Sequence, residues 1–139
     1  MRATGANVWY FPDGFLPQKS GEGSLEAHEA LMLLNPNMSQ ANIILDFYFE
    51  NRPPIKGISI TVGAERVRAL RLDHASDIGN VQIPPLTQYA ICVRSDTGII
   101  AQFGRLDTTQ ANLAYYTTMG YCAEERGIEK KDGPDVIDV

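Results

Sequence analysis

Apolar and polar positions alternate with a period of two along much of the chain, most cleanly where Ile58, Ile60 and Val62 are separated by Ser59 and Thr61. Successive side chains of a strand point to opposite faces, so this spacing predicts a half-buried strand over 57–62. Just upstream, Asn42-Ile-Ile-Leu-Asp-Phe-Tyr-Phe49 is β-branched and aromatic, too short and bulky for a helix, and reads as a central strand. Between them Asn51-Arg-Pro-Pro54 lacks two backbone donors, which ends sheet pairing and predicts a hairpin turn.

The other segments follow the same logic. Val8–Phe11 and Ala30–Leu34 are apolar runs, each stopped by a turn signal, Pro12-Asp-Gly14 and Asn35-Pro-Asn37. In Glu65–Leu72, Val67 and Ala69 share one face while Leu70 falls on the other, an imperfect alternation that suits an edge strand or a bulge. Gln88–Arg94 and Ile99–Leu106 flank Ser95-Asp-Thr-Gly98, whose polar, glycine-containing composition predicts a second hairpin loop. Residues 108–119 read as a loop followed by a strand, in preference to a short helix entered through a Thr cap. Short strands punctuated by turns, with no long amphipathic stretch before residue 108, predict an all-β chain folded as an antiparallel β-sandwich of about seven or eight strands. The domain is expected to span 1–122, and the charged segment 123–139, with Asp132-Gly-Pro134, to form a mobile or extended tail.

Composition narrows the function. At 139 residues, 44 % hydrophobic and 21 % charged, the chain is sized for one domain with one core. Twelve basic against seventeen acidic residues leave a net charge of −5, which repels polyanions, so nucleic acid is not an expected partner. The start of the chain has no apolar segment behind positive charge and no run approaches the ~20 apolar residues that cross a bilayer, so no membrane insertion is expected and the predicted location is cytoplasmic. Cys92 and Cys122 lie in separate segments without a Cys-x-x-Cys pair or a histidine at metal spacing, and are expected as reduced, buried thiols. No cofactor and no metal are predicted.

Residues that bear chemistry are few. Gly-x-Ser-x-Gly is missing from the chain, and Gly21-Glu-Gly23 has neither the Lys-Ser/Thr ending nor a following helix, so the expectation is a protein that is not an enzyme. His28 and Glu29 adjoin, but neighbours on a strand face opposite ways and cannot easily share one ligand. Arg66, Arg68, Arg71, Arg94 and Arg105 recur among apolar strands together with Gln102 and Asp107. Buried guanidinium groups call for carboxylate partners, with Asp107 and Glu29 the candidates, and such pairs serve equally as structural ties or as ligand anchors. Trp9 couples a wide apolar face to an N–H donor at a strand mouth, which fits stacking on a ligand as well as filling a core.

The succession Trp9 with Gly14, Ala27-His-Glu29, Leu34-Asn35, Asp46-Phe-Tyr48, Val62-Gly-Ala-Glu-Arg66, Leu70-Arg-Leu72, Ile83-Pro84 and Ile100-Ala-Gln-Phe-Gly-Arg-Leu-Asp107 resembles the sensory rhodopsin transducer family of small prokaryotic proteins, over roughly residues 8–121. The resemblance implies a β-sandwich assembling as a homotetramer, binding a small-molecule ligand with carbohydrate among the candidates. In one branch it implies relay of a signal from a membrane photoreceptor. Carried over by position, it marks Trp9, His28, Glu29, Arg66, Arg71, Gln102, Arg105 and Asp107 as ligand-binding or interface residues. Gly63 and Glu65 stand where the family commonly has proline and a basic residue. Two functions follow as expectations: a soluble small-molecule-binding sensory domain, or a non-enzymatic adaptor acting through protein–protein contacts, including as the soluble transducer of a photoreceptor.

Overall fold

The computed structural model describes residues 5–18, 25–108 and 112–123; the expected tail from 124 onward lies outside them. Eight antiparallel strands follow one another: β1 (Ala6–Phe15), β2 (His28–Asn35), β3 (Ala41–Phe49), β4 (Ile55–Val62), β5 (Arg66–Arg71), β6 (Gln88–Asp107), β7 (Ala114–Met119) and β8 (Tyr121–Cys122). A single 3₁₀ turn, Ala75–Ile78, sits between β5 and β6. The all-β prediction holds, and so does the strand assigned after residue 108.

One sheet runs β4-β3-β6-β1-β8; the other is built by β2, which pairs with β5 on one side and with the second half of β6 on the other, and by β7, which also pairs with β6. The inward residues of both sheets meet in one apolar core: Ile43, Leu45, Phe47, Ile58 and Ile60 from the first, Leu31, Leu33, Leu70 and Phe103 from the second. Period-two patterning therefore located the core correctly.

Two predicted turns are not turns. Ser95–Gly98 lies inside β6, a single strand of 20 residues, instead of closing a hairpin. At this point β6 leaves β1 and β3 and takes up β2; on the β1 side the register jumps from Ala6↔Ile99 to Val8↔Arg94. A strand that turns the corner between two sheets must bend, and polar side chains satisfy the displaced backbone there. Asn7 Nδ2 donates to Ser95 O at 3.1 Å, Asn37 Nδ2 to Gly98 O at 2.7 Å, and Asp96 accepts from the Asn42 N–H at 2.9 Å. Likewise Pro12-Asp-Gly14 is a bulge within β1, where the register shifts between Phe11 and Gly14.

β5 is an edge strand, as its pattern allowed, but it pairs with β2 without a register shift. Leu70 faces the core, and Arg66 and Arg68, on the same side four and two residues back, run past the end of it. Arg68 Nη1 donates to Thr61 O of β4 at 2.8 Å, so a cation guards the seam between the two edge strands.

Candidate functional site

Glu29 is a buried carboxylate with both of its oxygens engaged. It is fully buried in β2, and three donors from two other strands converge on its carboxylate. The Tyr89 hydroxyl of β6 donates to Oε1 at 2.5 Å, Arg105 Nε at the far end of the same strand donates to Oε2 at 2.6 Å, and the Phe15 N–H at the end of β1 lies 3.1 Å from both oxygens. Burial, followed by the nearby carboxylate, pushes the Tyr89 hydroxyl pKa well above the ordinary phenol range. Burial works against the Arg105 charge, but the Glu29 hydrogen bond and charge more than offset it and the pKa rises. Gly14 is what lets Tyr89 lie here, because a Cβ at that position would stand 2.4 Å from the ring.

Arg105 carries the network outward. Its Nη2 reaches Asp13 O at 3.4 Å, and its guanidinium lies 5.3 Å from the centroid of Tyr116 on β7. Beyond Tyr116, between β1 and the passage from β7 to β8, opens a cleft of about 280 Å³, with Phe11 and Phe103 among its lining residues.

On the opposite sheet, Asp46 of β3 is almost wholly buried. Its Oδ1 accepts the Gly57 N–H at 2.9 Å, satisfying the irregular start of β4. Its Oδ2 sits 2.7 Å from Arg94 Nη1, an ion pair without the alignment of a hydrogen bond. A lone acid inside the apolar run Ile43–Phe49 was the sequence signal for this pair; nothing in the sequence marked Tyr89, Tyr116 or the Phe15 N–H.

The Anabaena sensory rhodopsin transducer family model matches residues 4–122. The chain belongs to that family. Among solved structures, Thermotoga maritima 1070 is similar at 31 % identity and TM-score 0.76, covering 87 % of this chain and 97 % of that one. The Anabaena sensory rhodopsin transducer is similar at 26 % identity and TM-score 0.66, covering 78 % of this chain and 95 % of that one. No curated protein matches the sequence. Membership in the transducer family supports a sensing or transducing role. No helix among the described residues is long and apolar enough to cross a membrane.

The eight residues marked by resemblance to the transducer family do not form one site. Glu29 and Arg105 pair directly. Trp9 is a correction: its indole lies in the core, and Nε1 donates to Ala6 O and Ile99 O, both at 3.2 Å, so neither face is offered to a ligand. The two acceptors, Ala6 O of β1 and Ile99 O of β6, are buried where the register between these strands shifts, and the indole supplies their donor. His28 faces away from Glu29, as expected, with Nδ1 2.8 Å from Glu26 O. Arg71 is held by Asp73, at 2.7 and 2.8 Å, and by Glu26 at 3.3 Å, so neither Asp107 nor Glu29 is its partner. Glu26, Asp73 and His74 bring ligand-type atoms within 4.8 Å of one another, but this cluster already holds the Arg71 guanidinium. Arg66 is exposed and donates to the Ala64 and Glu65 carbonyls. Gln102 and Asp107 stand on β6 opposite Met119 and Ala114 of β7. Cys92 is a buried thiol, whereas Cys122, expected to be buried, is exposed.

Proposed function

We propose that the protein is a non-enzymatic adaptor that relays a signal through protein–protein contacts, docking through the outer face of the β5-β2-β6-β7 sheet. The composition of that face supports the reading. Cross-strand register aligns its outward side chains in rows: Val67, Leu34 and Ile100; Ala69, Met32, Gln102 and Met119; Arg71, Ala30, Gly104 and Thr117; His28, Leu106 and Tyr115. Val67 is 67 % exposed, and Leu34, Met119 and Tyr115 are also exposed. The rows hold no acidic side chain, and their basic residues, Arg71 and His28, sit at one end. Four strands and a span of seven residues make a platform of about 15 by 20 Å. A nearly uncharged, methionine-bearing platform of this kind marks an interaction surface more than a solvated face.

In this reading the protein is cytoplasmic and homotetrameric, and a membrane photoreceptor is the partner class indicated by the name of the Anabaena relative. The test is size-exclusion chromatography with light scattering, and binding to a solubilised sensory rhodopsin, for wild type against Leu34→Asp and Met119→Lys. Loss of self-association or of receptor binding by tenfold or more, with the fold retained, is the expected result; unchanged assembly and binding in both variants refutes the docking face.

A second reading, a small-molecule-sensing domain, is favoured by the cleft beside Tyr116, whose floor is apolar. The expected anchors do not serve a carbohydrate there: Trp9 is in the core, and Glu29 and Arg105 are engaged with each other.

A further inference from the structure

We propose that the cleft between β1 and the β7–β8 passage binds a small organic cation of the alkylammonium type. This rests on the small-molecule reading and gives its ligand a positive charge in place of the carbohydrate that the resemblance implied.

The walls are aromatic. Phe11 and Phe103 stack at 6.1 Å between centroids, and both are buried core residues whose rings are also part of the cleft lining. Tyr116 and Tyr121 add two further rings, Tyr121 at 70 % exposure. The volume of about 280 Å³ compares with the ~30 Å³ one water occupies in the liquid, so a compact organic molecule fits.

The charge is negative. Of the described residues that line the cleft, Asp13 is the one that carries a formal charge at neutral pH. The nearest cation, Arg105, stands at Tyr116 and is paired with Glu29 at 2.6 Å. One guanidinium against the two carboxylates of Glu29 and Asp13 leaves a net charge of −1 around the site. Aromatic rings beside a carboxylate attract a desolvated ammonium through both the ring quadrupole and the charge, and repel an anion. Tyr116 already shows this preference by taking the Arg105 guanidinium against its ring.

The position gives binding a consequence. Gly120, where the chain passes from one sheet to the other, runs so close to β1 that a Cβ would stand 2.7 Å from Tyr10 O. A ligand in the cleft therefore touches β1 and β8 of one sheet and β6 and β7 of the other, and β7 is the strand that supplies Met119 and Tyr115 to the outer face.

The test is nuclear magnetic resonance titration of the full chain with choline, with its uncharged isostere in which carbon replaces the quaternary nitrogen, and with the carboxylate of the same skeleton. Choline is expected to give saturable shifts at the Met119 and Gly120 amides, with the isostere about fivefold weaker and the carboxylate weaker still. Asp13→Asn and Tyr121→Ala, both at exposed positions, are each expected to weaken choline about fivefold without changing the melting temperature, the scale of one exposed charge or cation–π contact. Isostere or carboxylate binding as tight as choline overturns the cation assignment and leaves a sensing cleft. If none of the three shifts these amides up to its solubility limit, the proposal and the sensing reading both fail.

Discussion

Replacing Arg105 by alanine tests whether the Glu29 network holds the fold together or merely decorates it. In the native chain the fully buried carboxylate has three donors, from Tyr89, Arg105 and Phe15. Arg105→Ala removes the compensating charge and leaves an anion in the interior with one hydroxyl and one amide. Breaking a fully buried pair by deleting one partner costs about 3–5 kcal/mol. The Arg105 side chain is 20 % exposed, so water can reach part of the vacated space and the lower end, about 3 kcal/mol, applies. For a chain of this length each kcal/mol lowers Tm by about 3–4 °C, which predicts a fall of roughly 10 °C. Urea unfolding followed by circular dichroism at neutral pH measures it, with a double-mutant cycle through Glu29→Gln expected to show a coupling of about 1.5 kcal/mol or more. A cost below ~1 kcal/mol, or an additive cycle, would place the contact among ordinary surface ion pairs and refute the reasoning.

Tyr89 gives a pH signature. Its pKa is raised in the folded state, so the unfolded chain loses the proton first, and stability is full below ~pH 10 and falls above it by up to ~1.4 kcal/mol per unit from this residue. Urea melts across the alkaline range should show that slope reduced in Tyr89→Phe; an unchanged slope assigns it elsewhere. Gly14→Ala sets a Cβ 2.4 Å from the Tyr89 ring and is expected to cost about 1–3 kcal/mol by overpacking, with displaced Tyr89 ring resonances as the local readout. Arg94→Ala leaves the buried Asp46 carboxylate with the Gly57 N–H as its one hydrogen-bonding partner, and a loss of about 2–3 kcal/mol in the same melts is expected, tempered by the half-exposed guanidinium.

Strands were legible because burial on one face leaves a period of two, and this worked for β3 and β4, where Ile43 and Leu45 oppose Ile60 and Ile58. Corners were not legible. Ser95-Asp-Thr-Gly98 has the composition of a loop because a strand crossing between sheets hands its displaced backbone groups to polar side chains, and only the partners Asn7, Asn37 and Asn42, far away in sequence, show that it is extended. Trp9 misled for a related reason: its acceptors are backbone carbonyl groups, which every residue has and no side chain announces. Glu29 and Arg105 were recognised individually, but what joins them is the register of β2 on β6, which places the two directly opposite. Their consumption of each other, and hence the cleft's negative character, follows from that pairing.

The length of β6 also bears on how the chain is made. Four of the seven strand pairings among the described residues, those with β1, β2, β3 and β7, require it. During synthesis, until residue 88 is made, only the β3–β4 hairpin and the β2–β5 pair among the described strand pairings are able to form; β1 waits for a strand that begins some 70 residues after it ends. The nascent protein therefore has no stable half. It holds exposed apolar strands until Gln88–Asp107 emerges, then closes through pairings of high contact order, and its window of vulnerability to aggregation and to chaperone capture lasts from the emergence of β1 until β6 is complete.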